Sequence, residues 1–300
     1  MKVLVAGGTG FVGRALCLAL SEKKHEVSVL SRNGLAIEIG YPQVSWDAKN
    51  LGEWREALTG IGAVINFCGE PILGGRWNSQ RKKKLQDSRI LSTRALVSAL
   101  SQTLEKPAVL INASAIGFYG DRGDEELDEN SKPGQDFLSK LCLEWEREAQ
   151  IAQSLGIRAV CLRTGIVLSG NGGALKRMLS HFRLGLGGSL GSGKQWMSWI
   201  SLEDLTALVI HLIGSDVSGP VNAVSPHPIR NMDFTSALAR ACHRPALAPV
   251  PVWALKLALG EASSLLLSSQ HVLPKKAEAL EFKFRFPDID PALDFALKKP

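Results

Sequence analysis

The first thirteen residues, MKVLVAGGTGFVG (Met1–Gly13), decide the fold of this chain. The apolar run Val3–Ala6 is typical of a buried parallel strand, and the glycines that follow break it in a tight turn. From Phe11 the apolar residues recur with helical spacing, so a helix is predicted to begin there. Such a corner offers backbone N–H groups and a helix N-terminus to a phosphate, although a tight turn without a ligand is the alternative. The predicted contacts with a dinucleotide are Gly7, Thr9, Gly10, Phe11, Val12 and Gly13.

Strand and helix patterns alternate along the chain after this corner. Strands are predicted at residues 26–30, 44–46, 63–67, 108–113, 157–163 and 221–224. The alternation predicts an α/β fold, a Rossmann-like doubly wound parallel sheet with a smaller C-terminal substrate domain. Nucleotide binding is assigned to residues 1–165 plus about 203–225, and the substrate side to 166–202 and 226–300. Within the latter, Phe282, Phe284 and Phe286 alternate as in a half-buried strand.

Composition and charge are those of an ordinary soluble enzyme. The 300 residues are 45% hydrophobic and 21% charged, and the formal net charge of +6 favours an anionic ligand without requiring nucleic acid. The dense basic cluster Arg81–Lys84 is interpreted as a solvated helix face, with nucleic-acid binding as a weaker alternative. No apolar run reaches membrane-spanning length. We therefore expect a small-molecule substrate, and neither nucleic acid nor a membrane as partner.

Cysteine and histidine usage bears on compartment and metal content. The five cysteines are scattered and lie mostly in apolar contexts, which indicates buried free thiols in a reducing compartment, so a cytoplasmic location is expected. The six histidines are isolated, and no metal site is predicted. Because the N-terminus is the first strand itself, no cleavable targeting segment is expected before it.

The end of the second predicted strand favours a particular coenzyme. An acidic residue there would bind the ribose 2′-hydroxyl of NAD, whereas an arginine can bind a 2′-phosphate. The chain has Ser31-Arg32 and no acid before Glu38, so NADP(H) is the predicted cofactor; the alternative is an ordinary surface arginine. The end of the fourth strand, Phe67-Cys68, is expected beside the adenine ribose or the pyrophosphate.

Two further regions are candidates for ligand contact. Lys84 and Arg89 lie on a predicted long helix and could reach a phosphate or ribose, although a solvated side chain is equally compatible with each position. The glycine-rich loop Gly185–Gly193 lacks the P-loop spacing and is interpreted as a substrate-side lid. Three residues after it are predicted to line a pocket, Gln195, Trp196 and Trp199, with both tryptophans in the core as the alternative.

Several of these motifs resemble those of extended short-chain dehydrogenase/reductases. They are GGTGFVG, Val64–Asn66, Asn112–Ser114 with Tyr119-Gly120, and Leu162–Gly165. The block Phe182–Leu205 and the tail at residues 248–297 resemble an atypical epimerase-like subgroup, the NAD-dependent epimerase/dehydratase family with a C-terminal domain of unknown function. The resemblance extends essentially from end to end and implies an NADP-binding Rossmann domain. It also implies cofactor contacts at Ser31, Arg32, Phe67, Cys68, Lys84, Arg89 and Arg163.

The resemblance also implies a catalytic Ser or Thr, a Tyr, and a Lys four residues after the Tyr on one helix face. That Tyr–Lys pair is missing, because neither Tyr41 nor Tyr119 is followed by Lys at that spacing. Ser114, Tyr119 and Lys140 remain the catalytic candidates; the alternative is that Ser114 bonds locally and Tyr119 packs. In a register shifted by two residues, Leu138 and Cys142 occupy the two positions.

Taken together, these features predict an NADP(H)-binding, epimerase-like oxidoreductase whose substrate is open. The alternative is an NADP(H)-binding sensor or regulatory protein without turnover, since the Tyr–Lys pair is missing. The oligomeric state is also open, although related enzymes often form homodimers through exposed helices.

Overall fold

In the computed structural model, which describes residues 1–32, 40–246 and 249–298, seven strands pair in parallel into one central sheet. They are β1 (Lys2–Ala6), β2 (Glu26–Ser31), β3 (Gln43–Ser45), β4 (Ala63–Asn66), β5 (Val109–Ala115), β7 (Arg158–Thr164) and β11 (Gly219–Ala223). Shorter strands are β6 (Glu126–Leu127), β8 (Ile166–Leu168), β9 (Trp196–Met197), β10 (Trp199–Ser201), β12 (Ile229–Arg230) and β13 (His271–Val272). The sheet order is β3-β2-β1-β4-β5-β7-β11, which confirms the predicted doubly wound topology. Glu38 and residue 248, used in the sequence argument, lie outside the described residues.

Helices cover both faces of this sheet and continue into the C-terminal region. Within the described ranges they are α1 (Phe11–Glu22), α2 (Ser79–Gln102), α3 (Phe137–Gln150), α4 (Gly173–Arg183), α5 (Leu202–Ile213), α6 (Asn231–Cys242), α7 (Val252–Leu259), α8 (Ser264–Leu267), α9 (Lys275–Ala279) and α10 (Ile289–Lys298). Shorter 3₁₀ helices span Glu53–Leu58, Ile116–Tyr119, Ile151–Leu155 and Gly260–Ser263. None of the helices in the described part of the chain is both long and apolar enough to cross a membrane.

The sheet separates two apolar cores. Successive residues of a strand point to opposite faces, so Val3 and Val5 pack with α1 and α5, while Leu4 packs with α2. All three side chains are fully buried, as expected for a strand covered on both faces. The carboxyl ends of the strands, where ligands bind in such sheets, therefore lie at one edge between these helical layers.

The C-terminal region has a core of its own. Leu179 of α4, Phe234 of α6 and Leu293 of α10 are buried together in one apolar cluster. The region is joined to the sheet domain through small two-stranded sheets, in which β8 pairs with β10 and β6 pairs with β13. This arrangement places α4, α8 and β9 across from the carboxyl ends of the central strands.

The strand predicted from Phe282, Phe284 and Phe286 is wrong. The segment that carries the three rings is irregular. Its first two rings pack against the core beneath α5, and the third is buried in the C-terminal core. The backbone N–H groups of Arg285 and Phe286 donate to the buried carboxylate of Asp204 at 2.7 and 2.9 Å. Because a side chain accepts these bonds, the segment needs no neighbouring strand.

Candidate functional site

The glycine turn between β1 and α1 is closely packed against its neighbours. Gly7 has a φ of +83°, and a Cβ there would lie 2.8 Å from the carbonyl carbon of Phe67. A Cβ at Gly13 would lie 2.2 Å from the carbonyl oxygen of Gly7. Gly10 is the N-cap of α1 and has no side chain that could accept a hydrogen bond. The N–H groups in the first turn of α1 are therefore not capped by the N-cap residue. The residues therefore form a side-chain-free cradle that fits a pyrophosphate.

One side of this cradle opens into a cavity of about 410 Å³, the first chamber. Its wall combines the ends of β1, β2 and β4 with the first turns of α2. Eight predicted cofactor contacts line it, Gly7, Thr9, Gly10, Ser31, Arg32, Phe67, Cys68 and Lys84. Sequence reasoning did not single out four other lining residues, Trp46, Lys49, Glu70 and Arg81, as ligand contacts.

The first chamber is lined by four cationic side chains together with three carboxylates, Asp47, Glu70 and Asp87. The Arg32 guanidinium lies 3.4 Å from Glu70 Oε1, and that of Arg81 lies 3.5 Å from Oε2. Lys49 and Lys84 line the same cavity. Both guanidinium–carboxylate distances are long, so an incoming phosphate can compete for these two arginines. The sequence offered one signal for Arg81, since residues three apart share a helix face and Lys84 was already a candidate.

Two other lining groups of the first chamber have shifted pKa values. The N–H groups of Asn50 and Lys49, together with the Asn50 side chain, hold the pKa of the Asp47 carboxyl below its usual range. Burial raises the pKa of the Cys68 thiol to about 12. The thiol is therefore protonated at neutral pH and acts as an apolar contact.

The other side of the cradle opens into a cavity of about 440 Å³, the second chamber. Four predicted site residues line it, Phe11, Val12, Arg89 and Ser114. Among the three residues predicted after the glycine-rich loop, Trp196 also lines it, whereas Trp199 is fully buried in the C-terminal core. The Gln195 side chain instead donates to the carbonyl groups of Leu190 and Leu266 and braces the wall.

Helix α3 presents an unexpected face to the second chamber. Leu138 and Cys142 line the cavity, whereas Lys140 is exposed and is not among its lining residues. The structure thus favours the shifted register, with an apolar residue and a thiol at the two positions expected for Tyr and Lys. Burial raises the pKa of the Cys142 thiol to about 12, so this group does not exchange protons readily near neutral pH.

A buried network lies behind Ser114. Its Oγ donates to Glu146 Oε1 at 2.7 Å, and Arg163 forms a two-pronged ion pair with the same carboxylate at 2.8 and 2.9 Å. Arg163 also donates to the Tyr119 hydroxyl at 3.0 Å, and that hydroxyl donates to Asn222 at 2.6 Å. The network links the end of β5 to β7, α3 and β11.

Tyr119 and Arg163 therefore lie inside the protein and away from both chambers. Tyr119 is fully buried and Arg163 is 3% exposed, and neither is among the residues that line the cavities. Burial raises the pKa of Tyr119 to about 12. This placement does not support the predictions that Tyr119 transfers a proton to a substrate and that Arg163 contacts the cofactor. The alternative interpretation, that Tyr119 packs, describes its position.

Arg89 lies on the wall of the second chamber, beside the segment that separates it from the first. Its guanidinium donates to the carbonyl oxygens of Leu85 and Glu70, both at 3.0 Å, and packs 5.3 Å from the ring centre of Trp145. The side chain is therefore fixed where the two chambers approach each other.

The fold agrees with comparisons to known proteins. The sequence model of the NAD dependent epimerase/dehydratase family matches residues 3–225. The chain belongs to this family. A second model, Domain of unknown function DUF1731, matches residues 250–296.

Relatives with the same organisation occur in distant organisms. Epimerase family protein Mb2239 of Mycobacterium bovis is 42% identical over 99% of this chain and 98% of its own length. Epimerase family protein SDR39U1 homolog, chloroplastic, of Arabidopsis thaliana is 37% identical over 98% of this chain and 86% of its own length. The crystal structure of human epimerase family protein SDR39U1 with NADPH is 33% identical, covers 100% of both chains and superposes with a TM-score of 0.91.

Proposed function

We propose that this protein binds NADP(H) across the two chambers and acts as an epimerase-like oxidoreductase. The observation that carries the proposal is the pair of cavities at the carboxyl edge of the sheet, one on each side of the glycine cradle. The first is lined by four cationic side chains, and the second is largely apolar. The human relative that contains NADPH supports the choice of coenzyme.

Each part of the cleft has a distinct role in this proposal. The first-turn N–H groups of α1 face the pyrophosphate, and Arg32, Arg81 and Lys84 hold the 2′-phosphate. The apolar wall of the second chamber excludes water from the reacting carbons. The bound nicotinamide supplies hydride transfer to or from a substrate carbon. Ser114 is the hydroxyl at the end of β5 that meets the substrate, and Glu146 fixes its orientation.

A second candidate function is NADP(H) sensing without turnover. Leu138 and Cys142 favour it, because they place no readily titrating group on the cleft-facing side of α3. The two functions share the same cofactor site and differ only in whether a substrate reacts. An isomerase that returns the hydride to the same substrate is a variant of the first.

Binding and turnover measurements test the proposal. Calorimetry is expected to show NADPH binding at least tenfold tighter than NADH; no heat with either coenzyme would refute it. A panel of ketones and alcohols, followed at the nicotinamide absorbance, separates the two functions. Turnover that Ser114→Ala abolishes and that the exposed-site variant Lys132→Ala leaves unchanged supports the enzyme. Tight NADPH binding without turnover across the panel supports the sensor.

We also infer a reducing compartment such as the cytoplasm. All five cysteines are free thiols, and three of them are buried. Burial raises the pKa of Cys17 to about 12, so this thiol resists oxidation. Thiol quantification after isolation without reductant tests the inference, since disulfide-linked material would contradict it.

A further inference from the structure

We propose that the second chamber binds an uncharged, mainly apolar molecule through a single hydroxyl group, which donates its hydrogen to Ser114 Oγ. The inference rests on the proposed function in one respect, because it takes this chamber as the substrate side of the cofactor cleft. It names a substrate class that differs from a charged sugar nucleotide.

The charged side chains of the second chamber favour an uncharged ligand. Among the described residues that line it, these are Arg89 and Asp136. Arg89 donates to two backbone carbonyl oxygens at 3.0 Å and packs against the ring of Trp145, which fixes its position on the wall. Asp136 Oδ1 accepts from the N–H and the hydroxyl of Ser139 at 2.8 and 2.9 Å, which caps α3. The formal charges of Arg89 and Asp136 cancel, so a diphosphate or carboxylate entering the chamber would lose its hydration and meet no net positive charge in return.

Several neutral polar groups of the wall are also engaged with other parts of the protein. Gln270 Nε2 donates to the carbonyl oxygens of Ile116 and Gly120 at 3.0 and 3.1 Å. Asn231 Oδ1 accepts from the Leu190 N–H at 2.7 Å, and Ser198 Oγ donates to the carbonyl of residue 270 at 2.8 Å. These bonds hold the wall together. A ligand with many hydroxyl groups, such as a sugar, would leave most of them unsatisfied.

The direction of the hydrogen bond at Ser114 determines which ligand group it can bind. The hydroxyl donates to Glu146 Oε1 at 2.7 Å, and Arg163 donates to both oxygens of that carboxylate and holds it in place. The single hydrogen of Ser114 is thereby used, so the lone pairs of Oγ can only accept. The Cys142 thiol lies within hydrogen-bonding reach of Oγ, which leaves one lone pair for a ligand. Ser114 therefore selects a ligand group that donates a hydrogen, which a hydroxyl does and a carbonyl or an ether does not.

The rest of the wall suits the body of such a molecule. Leu138, Cys142, Trp145, Met178 and Trp196 contribute apolar surface around Ser114. The cavity of about 440 Å³ is shared with the nicotinamide, so the remaining space fits a small to medium-sized ligand. Burial of its apolar part supplies most of the affinity.

A matched ligand series tests this inference on the full-length protein saturated with NADP⁺. Trp145 and Trp196 line the chamber, so tryptophan fluorescence reports binding. We expect 2-octanol to bind, 2-methoxyoctane to bind about two- to tenfold more weakly because it cannot donate, and octanoate to bind at least tenfold more weakly. UDP-glucose should not bind. If UDP-glucose or octanoate binds as tightly as 2-octanol, or if no neutral ligand saturates the signal, the inference is overturned.

Variants of residues that line the second chamber test whether the fluorescence signal reports binding there. Ser114→Ala should abolish the preference for 2-octanol over 2-methoxyoctane while leaving the ether affinity within about twofold. Leu138→Ser should weaken both neutral ligands about three- to tenfold, whereas Leu104→Ser, at a side chain that is 99% exposed, should change neither. A preference that persists in Ser114→Ala overturns the hydroxyl assignment, and equal effects of the two leucine variants overturn the location.

Failure of the proposed function is distinguishable from failure of this inference. The same ligand series is also titrated into protein without coenzyme, and NADPH binding is measured separately. Absent NADPH binding with the alcohol preference intact would refute the cofactor role and leave the ligand class standing. NADPH binding together with a preference for UDP-glucose would support the cofactor role and refute the ligand class.

Discussion

Replacing Arg32 with aspartate tests how this chain selects its coenzyme. The Arg32 side chain is 59% exposed at the end of β2, and its guanidinium lies 3.4 Å from Glu70. In the proposed complex it exchanges this carboxylate for the 2′-phosphate of NADPH, a group that NADH lacks. Arg32→Asp removes the guanidinium and puts a negative charge in its place.

The magnitude follows from these contacts. A hydrogen bond to a charged group contributes about 1.5–3 kcal/mol, and releasing an exposed ion pair costs roughly 0–1 kcal/mol. The difference is about 0.5–3 kcal/mol for the arginine, with a central value of about 1–2 kcal/mol. Repulsion between the new carboxylate and the phosphate adds about 1 kcal/mol near the surface. NADPH affinity should therefore fall about 30- to 150-fold, since 1.4 kcal/mol is tenfold, while NADH affinity stays within about twofold.

Calorimetry with both coenzymes measures this difference, and Arg240→Asp is a matched control. Arg240 is 63% exposed and paired with Asp290 at 2.7 Å, but it lies outside both chambers. The preference for NADPH should also shrink as ionic strength rises, because salt screens exposed charges. Equal losses for NADPH and NADH in Arg32→Asp, or a comparable loss in Arg240→Asp, would refute the assignment of Arg32 to the 2′-phosphate.

Three further predictions concern the buried network and the glycine turn. Burial raises the pKa of Tyr119 from about 10 to about 12, so its contribution to stability is complete below pH 10 and is lost as the pH rises toward 12. In urea unfolding, the free energy of unfolding of Tyr119→Phe should therefore fall by about 1–3 kcal/mol less over this pH range than that of the unmodified protein. Identical pH profiles of the two proteins would contradict this prediction. Arg163→Leu should lower the free energy of unfolding by about 3–5 kcal/mol by leaving Glu146 buried and unpaired, and adding Glu146→Leu should restore part of it; a loss below about 1 kcal/mol would contradict the pairing. Gly13→Ala should abolish NADPH binding because its Cβ would lie 2.2 Å from a backbone oxygen, whereas Gly214→Ala, whose Cβ would meet its nearest heavy atom at 3.8 Å, should bind NADPH normally.

Local sequence patterns were sufficient to predict the glycine turn and the position of Arg32. The spacing of Gly7, Gly10 and Gly13 after an apolar strand predicted the turn that the structure shows. The position of Arg32 at a strand end predicted its place in the first chamber. These features depend on residues a few positions apart, and the carboxyl ends of parallel strands always meet at one edge.

Long-range packing decided the rest of the cleft. The local pattern left two registers open on α3, and only its packing against β5 and β7 turns Leu138 and Cys142 toward the second chamber and Lys140 toward solvent. Tyr119 lay beside a candidate serine in sequence, yet a buried arginine from β7 holds its hydroxyl away from the cleft.

The sequence by itself therefore determined the sheet, the glycine turn and the cationic strand end, because each is set by near neighbours in the chain. The tertiary structure alone decided which side chains share a cavity with Ser114. Trp145 and Trp196 come from segments far apart in sequence, and their convergence depends on how the C-terminal core is seated over the sheet. No local periodicity contains that information, since it depends on contacts between residues that are distant along the chain.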